Sequence, residues 1–333
     1  MTGHFRYTSP QPPRSATGVV ADVYAQLATD FGIERASTFV VLSASPPLLG
    51  ATWALVRESL LAGHVSRTDK EVVAAGVSLA NRCPFCVVAH TVLLHATGDH
   101  RLAETIGTGG LPDDAGHREL LAWGKDLSTP QPFPVEHAPE QIGTALAFHF
   151  VNRVVSSLLT EDMLPGGAQK YRLVRSAAGR SLARTVRREL RPGASLALLE
   201  TEGPEPAWAA GTPVGTAFGA LRTAAHLGAG LLSDEEAAFV RESVAAWDGI
   251  TPLPLGAELP DRAERPGARL ALLAARAPYR ITDEDVAAWH VPPFTDHCLV
   301  HLIAFGAICA VERVEANLPA RAKGLAIGDR RPT

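Results

Sequence analysis

Alanine- and leucine-rich runs with apolar residues three and four apart recur along the whole chain, and almost nothing alternates with period two. That spacing lays apolar side chains along one face of a helix, so it favours helix-on-helix packing over a sheet. Aromatic residues, at 6% of the chain, are too few to support many strands. The fold class expected is all-α. Helices are expected near 17–30, 46–62, 67–80, 84–97, 117–126 and 138–159, with a second set after 168.

The two halves repeat each other faintly. PPLLGATWAL from 46 and PVGTAFGAL from 213 both open on proline, continue with small residues and lead to serine-started acidic turns, SRTDKE at 66 and SDEE at 233. At a constant offset of 160, Glu136-His137 matches Asp296-His297 and Arg153-Val154 matches Arg313-Val314. These matches imply a degenerate internal duplication. Its boundary is expected in TEDMLPGG, residues 160–167, which gives a first domain over 1–160 and a second over 168–333.

A chain of 333 residues, 46% of them hydrophobic, can bury two ordinary cores. Its formal charge of −4 gives no electrostatic reason to expect nucleic acid or an anionic membrane as partner. The N-terminal stretch is polar and proline-rich, and no later segment reads as long and apolar enough to span a bilayer, so a cytoplasmic location is expected. The stretch from Gln169 to Leu190 carries Lys170, Arg172, Arg175, Arg180, Arg184, Arg187 and Arg188, which reads as a solvated or salt-bridged face ahead of an anion site.

Four cysteines are too few for a disulfide scaffold, and a close pair in a reducing compartment points to catalysis or metal binding. That pair is Cys83 and Cys86 in ANRCPFCVVAH, residues 80–90. A helix starting near Ser66 and Asp69, with an apolar stripe of Val73, Val77 and Ala80 and with Gly76 allowing close approach, should stop at Asn81-Arg82. A second should begin with Cys83 as cap and Pro84 in its first position, and end at Gly98. Cys86 then lies in the first turn, where the helix dipole should lower its pKa. His90, four residues on, shares its face and is placed to take a proton. Cys83 is three residues before Cys86, close enough to close a disulfide, so one thiol can attack and the other resolve.

Glu71, eleven residues, Cys83, two residues, Cys86, three residues and His90 give the spacing E-x11-C-x2-C-x3-H. It resembles the motif of the alkylhydroperoxidase AhpD branch of the carboxymuconolactone decarboxylase superfamily. The resemblance covers residues 17–160 in helix order, and the second half more faintly. It implies an all-helical fold, homo-oligomers such as dimers or trimers, and peroxide reduction by the cysteine pair, with no bound cofactor or metal. An external dithiol such as protein-bound dihydrolipoamide would recharge the pair. Carried over by position, Glu71 would polarise His90 or a water, His90 would deprotonate Cys86, Cys86 would attack the peroxide oxygen and Cys83 would resolve the sulfenic acid. One departure is Phe85, where peroxidase members often carry histidine. The second half, read at 238–257, has neither a cysteine pair nor a histidine, and would act as an internal neighbour for the first.

Other readings of the same residues stand beside this one. Cys83 and Cys86 with His90 and His95 would make a zinc site, and Cys298 and Cys309 are too far apart to add a second C-x-x-C. A lyase of the same superfamily would use His90 or His137 as acid or base. A non-enzymatic redox sensor would use the disulfide to alter a partner surface. His297 and His301 read as a helix-start interaction ahead of a metal pair, His149 as a satisfied core histidine, and Trp53, Trp123 and Phe148 as core residues, some lining an apolar approach to the cysteines.

Overall fold

The computed structural model describes residues 4–163 and 165–319; residues 1–3, Leu164 of the expected boundary and residues 320–333 of the expected second domain lie outside the described residues. Among the described residues the architecture is helical, and the extended pairing is a single isolated bridge between Phe5 and Leu159. The first helices are α1 (Gly18–Gln26), α2 (Ser37–Val40), α3 (Pro46–Val56), α4 (Arg67–Ala80) and α5 (Pro84–Thr97). They are followed by α6 (His100–Gly107), α7 (Ala115–Lys125) and α8 (Ala138–Leu158). The remainder are α9 (Arg172–Val186), α10 (Pro213–His226), α11 (Asp234–Ala245), α12 (Pro266–Arg276), α13 (Asp283–Trp289) and α14 (Asp296–Ala316). Wider π-type turns, Leu27–Phe31 and Arg57–Leu61, carry α1 and α3 onward to the ends that their apolar spacing implies. The short α2 and α6 were not anticipated.

Two long helices of 21 residues, α8 and α14, pack on each other at the centre. Around them α4, α5 and α7 gather on one side and α10, α11 and α12 on the other. One apolar cluster runs from Val20 through Val314, so both halves of the chain contribute to a continuous core. By length and composition α14 is apolar enough to cross a membrane, which corrects the expectation that no segment approaches that limit. Its apolar window is 78% buried, the condition of a central core helix.

Small residues set how closely the site helices approach. A Cβ on Gly76 would lie 2.7 Å from the Leu121 carbonyl oxygen, and one on Gly124 2.5 Å from that of Val73, so α4 and α7 touch backbone to backbone. Behind α5 lies α9, where a Cβ on Gly179 would sit 2.5 Å from the His95 Cβ. The basic face of α9 is partly ion-paired: Arg175 binds Glu104 at 2.5 Å and Arg188 binds Asp30 at 2.7 Å. Although α9 follows the expected boundary in sequence, it packs on α5 of the first half.

Candidate functional site

The junction between α4 and α5 builds the site. Helix α4 ends with Asn81 as its cap, and Arg82 turns the chain with φ +53°, a left-handed conformation unusual for a side chain of its size. Cys83 then caps α5, its Sγ accepting the Cys86 N–H at 3.4 Å, with Pro84 in the first turn, and Gly98 ends the helix with φ +111°. At the start of α4, Ser66 occupies the cap position without a side-chain capping bond, so the local pattern placed the start but not its chemistry.

Glu71 is fully buried and divides its carboxylate between two partners. Arg67 Nε donates to Oε1 at 2.8 Å, one helical turn back, and His90 Nδ1 lies 2.6 Å from Oε2. Burial opposes ionisation of Glu71, but the Arg67 charge and the His90 hydrogen bond outweigh it and hold the carboxyl below its ordinary range. An ionised carboxylate only accepts hydrogen bonds, so Nδ1 of His90 carries the proton, and Nε2 is the nitrogen left to exchange one. That Nε2 is buried and has no hydrogen-bond partner. The ring is held edge-on by Phe148, with centroids 4.3 Å apart.

Cys83 and Cys86 are both buried and unbridged. Burial acts to raise the Cys83 thiol, yet hydrogen bonds from the Cys86 thiol, the Ser156 hydroxyl and the Cys86 backbone N–H prevail and bring it below its ordinary value. Burial, the hydrogen bond to Cys83 and the Cys83 charge together push Cys86 well above its own. The expected fall at Cys86 is therefore corrected: the helix start stabilises an anion on its cap residue, and like-charge repulsion keeps the neighbour protonated. No hydrogen bond joins Cys86 to His90 among the described residues. They meet instead in the lining of one cavity of about 380 Å³, with Phe31, Phe39, Phe148 and Leu93 among its apolar walls. Cys83 lines a different cavity, and Phe85 stands in the lining of both.

The structure thus brings Glu71 to His90, and Cys83 to Cys86, around one helix junction. Sequence reasoning missed Arg67, although its place four residues before Glu71 was a usable signal. Trp53 and Trp123 are core residues, and Phe148 both packs and lines the Cys86 cavity. His149 Nδ1 accepts from the Asn81 amide at 3.3 Å and from the Arg153 guanidinium at 3.2 Å. His297 binds the Ala44 carbonyl at 2.8 Å and His301 the Ser45 hydroxyl at 2.9 Å, so the α14 histidines tie that helix to the segment before α3.

Comparison with known proteins adds two findings. The family model described as carboxymuconolactone decarboxylase matches residues 47–106, the segment from α3 to α6 that carries Glu71, both motif cysteines and His90. An alkyl hydroperoxide reductase of Mycobacterium tuberculosis, Rv2159c, is 40% identical over 338 aligned positions, which cover 96% of each chain. No solved structure gives a significant match.

Proposed function

We propose, from the premise that this chain belongs to the carboxymuconolactone decarboxylase superfamily on its AhpD-like side, that it is a thiol-dependent peroxidase acting on apolar hydroperoxides. The observation that carries this reading is the buried Glu71–His90 pair, with His90, its Nε2 unpartnered, lining the same apolar cavity as Cys86 and with Cys83 hydrogen-bonded to the Cys86 N–H. The likeness to the mycobacterial alkyl hydroperoxide reductase supports the same assignment.

In this reading the two thiols are split by their surroundings, as paired titratable groups in active sites often are. Cys86 holds its proton at rest and His90 Nε2 takes it when a hydroperoxide fills the cavity. Glu71 stabilises the imidazolium that results. The Cys86 thiolate attacks the terminal peroxide oxygen, the O–O bond breaks, and the imidazolium returns the proton to the departing alkoxide, giving an alcohol and a sulfenic acid. Cys83, whose hydrogen bonds favour its thiolate, attacks the Cys86 sulfur in that form, and hydroxide leaves and is protonated by solvent. The sum is ROOH plus one thiol, one thiolate and one proton going to ROH, water and a disulfide. An external dithiol supplies the two electrons that reopen the disulfide, which fits a reducing compartment such as the cytoplasm.

Replacing Cys86 by serine should abolish thiol-dependent consumption of cumene hydroperoxide, and replacing Cys83 should leave a trappable sulfenic acid at Cys86. Full turnover by the Cys86→Ser variant removes the assignment. The family model's own description favours a second reading, proton transfer on a lactone acid by His90, and turnover of such a substrate by the double cysteine-to-serine variant would establish it.

A further inference from the structure

The Cys83 side of the pair differs in chemistry from the Cys86 side. Cys83 lines a cavity of about 370 Å³ together with Arg6, Arg82, Ser156, Glu161 and Tyr279. Arg82 and Tyr279, with the guanidinium 5.8 Å from the ring centre, also line a smaller adjoining cavity of about 40 Å³. Lys125, His149, Arg153 and Arg276 complete the charged and titratable groups of that smaller space, and no Asp or Glu lines it.

Its cations are short of counterions. Arg153 is 3% exposed, makes no ion pair among the described residues, and spends its N–H groups on the Ala275 and His149 carbonyls and on neutral side chains. Burial brings its pKa down to about 9. Arg276 has a buried Nε without a hydrogen-bond partner, and Arg82 and Lys125 form no ion pair among the described residues. The indole of Trp247 lies 5.8 Å from the Arg153 guanidinium and 5.5 Å from that of Arg276, a partial substitute for a carboxylate. The nearest acids make no ion pair with the group among the described residues: Asp248, whose charge acts on Arg276, bonds Thr251 and the Ile250 N–H, and Glu161 belongs to the larger cavity. A buried guanidinium without an anion is costly, and a space of this size beside it admits a group such as a carboxylate.

We propose that these adjoining cavities form the reductant's site, which takes a small dithiol with a carboxylate tail: one thiol reaches Cys83 while the carboxylate sits among Arg82, Arg153 and Arg276. Peroxide and reductant then approach the disulfide from opposite sides, separated by Phe85. This rests on the reading that Cys83 and Cys86 cycle through a disulfide. The reductant thiolate bonds to the Cys83 sulfur, the Cys83–Cys86 bond breaks, and Cys86 leaves with the electron pair and takes up a proton. The second reductant thiol then attacks its partner sulfur, which releases Cys83 and closes a cyclic disulfide on the reductant. Two electrons and two protons pass from the dithiol to the pair.

Dihydrolipoate and dihydrolipoamide test this, because they share a dithiol and differ in the charge of the tail. The full-length protein is oxidised with one equivalent of peroxide, disulfide formation is verified by mass spectrometry, and the reduction rate is followed with each dithiol by rapid quench. Dihydrolipoate should be about tenfold faster at low ionic strength, with the advantage shrinking as salt rises. The Lys125→Gln/Arg276→Gln variant should lose that advantage, and Arg14→Gln, an exposed change away from the site, should keep it. Equal rates for the two dithiols, or an advantage that survives the double substitution, overturns the inference alone. Absence of any disulfide after peroxide overturns the function reading and this inference together.

Discussion

Glu71 is the residue on which the proton chemistry turns, because its carboxylate fixes the tautomer of His90 from 2.6 Å while Arg67 keeps it ionised in a buried place. Glu71→Gln keeps the shape and removes the charge, so hydroperoxide kcat/KM should fall about a hundredfold while the thiol content stays unchanged. A fall of less than about threefold at the same thiol content would mean that His90 does not work through Glu71. The same carboxylate ties stability to pH. Its folded pKa lies below the unfolded value, so its contribution is present above the unfolded pKa and is lost as pH falls through the lower folded one. Urea midpoints of the native protein should decline over that acidic window, and those of Glu71→Gln should decline less. At this scale the spacing of Glu71, Cys83, Cys86 and His90 was legible, since offsets along helices fix which side chains share a face. The sign of the Cys86 shift was not, because it depends on the depth of burial and on the charge at Cys83, which Ser156 in turn favours, and no local pattern carries these.

Helices α4 and α7 hold that junction by touching at Gly76 and Gly124, with a Cβ at either position meeting backbone that cannot yield as a flexible side chain can. Gly76→Ala should therefore destabilise the fold by about 1–3 kcal/mol in urea titration, despite alanine's better helix propensity. A stabilised variant would show that the two helices separate without cost. Six of the first-half helices were legible from apolar spacing, capping residues and the prolines at positions 46 and 84. The eight-residue α6 was not, being too short to establish a period and held by its Asp99 cap and by the His95–Glu104–Arg175 cluster. In the second half, residues 246–265, which include the latter part (246–257) of the stretch aligned with the cysteine motif, form a connection, and α12 from Pro266 takes the place beside α11 and α14 that α5 takes beside α4 and α8. An inserted loop of that length shifts any alignment made at constant offset.

The whole molecule joins its halves through helices that the faint repeat pairs with each other, α3 against α10 and α8 against α14. A Cβ on Gly143 of α8 would come within 2.5 Å of Val214 of α10, and Arg153 of α8 donates to the Ala275 carbonyl at the end of α12 at 2.7 Å. Such packing of like on like is what a fused pair of related units would produce. If the second half stands in for a neighbouring copy, a fragment of residues 1–191, cut after α9 because α9 covers α5, exposes the apolar faces of α3 and α8. That fragment should self-associate in sedimentation experiments, and co-expression with residues 192–333 should replace the self-association with a one-to-one complex that regains cooperative unfolding. A fragment that stays monomeric and unfolds cooperatively by itself would show that the first half needs no neighbour. The continuous core argues for dependence, because the face of α8 that packs on α14 loses that cover when the second half is removed.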